Sequence, residues 1–106
     1  MATYKVLAQS APSATTATTL LTATSATIIS TLNASNIGGN QDTIRIAVRP
    51  AGASLANQHY IAYGVPLAAG AVFSMQGGIT LANTDVVTVY STTGTTSFSA
   101  FGSDNN

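Results

Sequence analysis

The stretch Asp42–Arg49, DTIRIAVR, constrains the fold more than any other part of this chain. Ile44, Ile46 and Val48 leave one side of an extended backbone, and Thr43, Arg45, Ala47 and Arg49 leave the other. Strict alternation marks a strand with one face buried, because successive side chains point to opposite sides of the pleat. Pro50-Ala51-Gly52 ends the strand, since proline supplies no ladder N–H and glycine accepts turn dihedrals. The segment from Asp42 to Val65 also holds both arginines, the only histidine and two of the four tyrosines.

No segment sustains a 3.6-residue period, so the rest of the chain reads as strands and turns. Tyr4–Ala8 is a first short strand. Residues 9–27 form a Ser/Thr/Ala-rich arm or loop without a single charge. The branched Cβ of threonine favours extended backbone, which predicts part loop and part strand here, with Thr18–Ala23 extended around Leu20-Leu21. The competing view is an arm that orders only against a neighbouring subunit. Thr27–Ala34 is a further strand, ended by the turn residues Ser35–Asn40. That Gly-rich connection suggests that it pairs with Asp42–Arg49 as a hairpin. Ala51–Gln58 reads as a helical turn or loop and His59–Val65 as a strand, with Pro66 at a sheet edge or bulge. Leu67–Gly70 reads as a turn, Ala71–Met75 as a strand, Gln76-Gly77-Gly78 as a bulge or turn, and Ile79–Leu81 as a short strand. Ala82–Asp85 turns the chain, Val86–Ser91 and Ser97–Phe101 are strands, and Gly102–Asn106 is a polar tail. The expectation is one all-β domain over residues 1–106, an antiparallel, jelly-roll-like β-sandwich of about seven to eight short strands.

Charge excludes several function classes. Charged residues make up 6% of the chain and the formal balance is zero, against about 25% charged in an ordinary soluble protein. A nucleic-acid binder needs a basic stripe to neutralise phosphates, and none exists here. No run approaches the ~20 apolar residues of a membrane span, and no signal peptide is evident. With no cysteine there is neither a disulfide framework nor a thiolate metal site. The exterior must therefore be Thr, Ser, Ala, Asn and Gln, a surface that can be buried against a partner with little desolvation cost.

Catalytic and metal chemistry find little support. His59 lacks a nucleophile motif, and Ser54 in GASLA does not sit in the G-x-S-x-G elbow of hydrolases. One histidine and three dispersed aspartates do not make a metal-ligand set. Asp42 and Asp85, flanked by turn residues, read as turn formers, with a glycosidase-type carboxylate pair as the open alternative. The expectation is no catalytic residue, no cofactor and no metal. Arg45 and Arg49 share a strand face four residues apart. They are either solvated on an outer face or engaged in an inter-subunit ion pair or hydrogen-bond cluster. Tyr60, Tyr63 and Tyr90 are candidate contact anchors. The candidate interface is Arg45, Arg49, His59, Tyr60 and Tyr63.

The run IRIAVRPAGASLANQHYIAYGVPLAAG, followed by GITLANTDVVTVYSTTGTTSFSAFGSD, resembles a family of small virion structural proteins of tailed bacteriophages, prominent among phages of aquatic bacteria such as cyanobacteria. The opening MATYKVLAQSAPSATTATTL is similar as well, although Leu21-Thr22-Ala23-Thr24 stands where the family usually carries Val-Pro. The resemblance implies a non-enzymatic homo-oligomer. A capsid cement or decoration protein comes first: a trimer over a local threefold of the shell, contacting the major capsid protein on the capsid exterior after synthesis in the host cytoplasm. A tail, neck or baseplate component contacting tail proteins comes second. A carbohydrate-binding sandwich is third.

Overall fold

The computed structural model describes residues 3–104. Eight strands run through these residues: β1 (Thr3–Ser10), β2 (Thr18–Thr22), β3 (Thr27–Asn36), β4 (Asp42–Arg49), β5 (Tyr60–Leu67), β6 (Val72–Leu81), β7 (Val86–Ser91) and β8 (Thr96–Asp104). They form two four-stranded sheets of order β1-β8-β3-β6 and β2-β7-β4-β5, and every strand pair is antiparallel. This interleaving of first with last strands is the jelly-roll order, and the expected all-β sandwich is what the chain forms.

The core lies between the sheets and is built from one face of each. Ile29, Leu32 and Ala34 of β3 alternate inward with Phe98 and Ala100 of β8. Ile44 and Ile46 of β4 and Val87 and Val89 of β7 face them from the second sheet. The alternation in DTIRIAVR buries Ile44 and Ile46 fully and leaves Val48 half-buried against the core, while Ala47 of the opposite row is buried as well.

The expected hairpin between Thr27–Ala34 and Asp42–Arg49 does not form. β3 pairs with β6 and β8, whereas β4 pairs with β5 and β7, so the two strands lie in different sheets. A Gly-rich connection suits a hairpin and an inter-sheet crossing equally well. Asn36 decides between them. Its buried amide donates to the carbonyls of Asn40 (2.8 Å) and Leu67 (2.9 Å), and its oxygen accepts from Gly38 N–H (3.0 Å) and the Thr95 hydroxyl (2.9 Å). All four hydrogen-bonding positions of that amide are filled, and they fix the loop over the end of the sandwich.

Other boundaries shift. The Thr-rich arm contributes β2 as an edge strand on β7. Leu67 closes β5, which is an edge strand, as Pro66 requires. The two short segments either side of Gln76-Gly77-Gly78 are one strand, β6, with an irregularity between them. The expected polar tail is structured through Asp104, where β8 pairs with both β1 and β3. Residues 105–106 of that tail lie outside the described residues. The Ala51–Gln58 segment holds a 3-10 turn at Pro50–Gly52 and the start of another at Asn57–His59.

Thr84, in the β6–β7 turn, has φ 77°, a left-handed conformation that a branched Cβ resists. Thr84→Gly is expected to stabilise the domain by about 0.5–1 kcal/mol, the relief exceeding the entropy cost of glycine. A rise of about 4 °C in the thermal midpoint checks it.

Candidate functional site

The six charged side chains show where a site can and cannot be. Asp42 is buried where the β3–β4 and β7–β8 connections meet. Its Oδ1 accepts from the N–H groups of Thr43 (2.8 Å) and Thr93 (2.9 Å), and its Oδ2 from the hydroxyls of Ser91 and Thr96. Burial pushes this carboxyl up, but the four hydrogen bonds outweigh it and hold the pKa at about 2, below the ordinary 3.8. At the opposite end Asp85 accepts from Ala51 N–H and Ala82 N–H, both at 2.9 Å, which lowers its carboxyl below the usual carboxylate range. Asp104 pairs with Lys5 at 3.2 Å. The turn-forming role expected for Asp42 and Asp85 holds, and each also ties together loops that are distant in sequence.

The two arginines on the β4 face part ways. Arg49 donates from Nε to the Thr88 hydroxyl and from Nη1 to the Ala53 carbonyl, each at 3.1 Å, and so pins the β4–β5 loop to the sheet. It is neither freely solvated nor paired with an aspartate. Arg45 sits in register between Tyr63 of β5 and Tyr90 of β7. Its guanidinium carbon lies 4.5 Å from the Tyr63 ring centroid and 4.4 Å from that of Tyr90. Such cation–π contacts contribute about 0.5–2 kcal/mol each. Tyr60 then meets Tyr63 edge to face, with centroids 4.9 Å apart. Among the described residues no acceptor reaches the guanidinium, and its Nε is shut off from water without a hydrogen bond.

Outside this cluster lies a shallow cavity of about 470 Å³ lined by Asn57, Tyr60 and Tyr63. Tyr63 is 61% exposed. His59 does not join it. The ring is buried, and its Nδ1 accepts the Ala56 N–H at 3.0 Å, closing the 3-10 turn that delivers Tyr60 to the sheet. No carboxylate contacts it among the described residues, and no group of three or more potential metal ligands gathers there.

Of the five residues singled out from sequence, the fold brings together Arg45, Tyr60 and Tyr63. It turns Arg49 to the loop and buries His59. Tyr90 completes the frame. Asn57 gave no sequence signal, since only the 3-10 turn places it beside the tyrosines. A second shallow depression of about 370 Å³, lined by residues including Gln9, Ser97 and Ser99, carries no charge. The chain matches no protein-family model, no curated protein and no solved structure.

Proposed function

We propose that this protein is a non-enzymatic structural component of a tailed-phage virion: a homo-oligomeric cement or decoration protein that bridges capsomers through the major capsid protein. One observation carries the reading. All six charged side chains have partners within the chain, leaving an exterior of hydroxyls, amides and exposed apolar groups. On the outer face of the first sheet Tyr4 is 85% exposed, Val6 52% and Ile28 51%, and Val6 pairs with Phe101 beside them. Apolar groups grouped on one face of a soluble domain mark contact surfaces, and their burial involves no desolvation of charge. A jelly roll is also a common architecture of viral shell proteins, although a fold alone does not assign a function.

The mechanism is mechanical. A filled shell resists pressure from packed DNA, and a protein lying across a seam adds buried area that must be exposed before the capsomers separate. The test is the mass of the purified protein in solution, followed by mixing with expanded empty capsids of its phage and counting bound copies. The expected result is an oligomer, a trimer on the threefold reading, that saturates capsids at a regular stoichiometry. An oligomer found only in isolated tails moves the assignment to the tail or neck. A monomer that binds neither overturns it.

A further inference from the structure

We propose that Arg45 and its tyrosine frame form a receptor for a side-chain carboxylate supplied by a different protein. The inference rests on the assembly reading above only in taking a protein as the source of that carboxylate.

Arg45 differs from the other two cations. Lys5 has Asp104, and Arg49 has a hydroxyl and a carbonyl. Arg45 has two aromatic rings and no acceptor among the described residues. A guanidinium carries five N–H donors in a planar fork that matches the two oxygens of a carboxylate. Because Tyr63 and Tyr90 flank it from the strands on either side of β4, a ligand approaches only from the solvent side, past the exposed Tyr63. The rings withhold water from part of the group without satisfying it, and a charge in that state gains more from an ionic partner than a fully solvated one does. Asn57 shares with Tyr60 and Tyr63 the shallow cavity that lies outside this frame.

The same bookkeeping identifies the partner. The chain contains no glutamate and three aspartates. Asp42 is buried with both oxygens bonded, Asp85 has both oxygens on backbone N–H groups, and Asp104 is engaged with Lys5. A second copy therefore has no unengaged side-chain carboxylate to offer. Because each of these carboxylates is already committed to its own chain, the acid is assigned to a chain of another kind and this face to a hetero-contact, distinct from the contacts that join sister subunits.

The experiment is a titration of ¹⁵N-labelled full-length protein with an acetylated tetraglutamate amide, following the Arg45 Nε–H signal and the Tyr63 ring. Acetylated tetraglutamine amide at matched ionic strength is the control. The expected result is a saturable shift centred on Arg45 with a Kd below about 10 mM, and no shift from the glutamine peptide. Arg45→Gln is expected to weaken binding at least about tenfold, and Arg45→Lys about threefold, because lysine keeps the charge but not the fork. Tyr63→Ala, at an exposed ring, is expected to weaken binding while the remaining spectrum is unchanged, which keeps the test valid should Arg45→Gln disturb the sheet. Equal shifts from both peptides, no saturation below about 10 mM, or undiminished binding by Arg45→Gln would overturn the proposal. So would selective binding of a uronate disaccharide while tetraglutamate is inert. The capsid titration is independent of all these outcomes, so either reading can fail without the other.

Discussion

Asp42→Ala is expected to remove about 4 kcal/mol of stability, since four donors lose their acceptor within the protein and buried orphans cost about 1–3 kcal/mol each before relaxation. The donors are the hydroxyls of Ser91 and Thr96 and the N–H groups of Thr43 and Thr93. For a domain whose whole stability is about 5–15 kcal/mol, this brings the fold close to collapse. Equilibrium unfolding in urea reads it directly; a loss below about 1 kcal/mol would show that Asp42 is not what holds the loops together. The carboxylate also predicts a pH dependence. Its folded pKa of about 2 lies below the ordinary 3.8, so the stabilisation is fully present above the unfolded value and is lost as pH falls from about 4 through 2. The amount is about 2 kcal/mol. Asp85 acts in the same direction. Asp42→Asn keeps an acceptor oxygen and removes the titration, so its stability should fall less over that range than that of the parent.

Gly102→Ala is the second large effect. A Cβ at this position would stand 2.0 Å from the Ile28 carbonyl oxygen and 3.0 Å from Ile29 Cα, both backbone atoms of the paired strand β3. Neither can rotate away as a side chain would, so β3 and β8 must separate beside the irregularity between Ile29 and Thr31 of β3. The cost is expected to reach about 3 kcal/mol, the upper end for overpacking. Gly39→Ala is the control, because nothing lies within 4 Å of a Cβ there, and it should change stability by no more than about 0.5 kcal/mol. Thermal unfolding of the two variants side by side separates steric conflict from a general cost of losing glycine.

The contrast between those glycines explains how far the sequence could be read. Local period located β4 and β7, because Ile44 and Ile46, and likewise Val87 and Val89, must share a face whatever surrounds them. Turn chemistry located the chain reversals around Gly38-Gly39 and Asn83-Thr84. Neither signal says which strand lies beside which, and so the β3–β4 connection read as a hairpin. The partners of Asn36, at Asn40, Leu67 and Thr95, are set by packing across the whole sandwich. Much the same holds for the candidate site. The chemistry of Arg45, Tyr60 and Tyr63 drew attention to them in the sequence, but the register that places Tyr63 and Tyr90 either side of Arg45 is a property of three strands together. Arg49, with the same side chain on the same strand face, ends on a loop carbonyl because it stands beside the β4–β5 turn.

The scarcity of charge on the chain and its zero balance bear on how fast, and not only how well, the protein meets a partner. Six charged side chains that balance to zero project little net field beyond a Debye length, so no long-range steering brings an approaching molecule into register. Association then proceeds at the unsteered rate of about 10⁵–10⁶ M⁻¹s⁻¹ and varies little with salt. Long residence on any partner must come from slow departure, set by the area covered once the two surfaces have met.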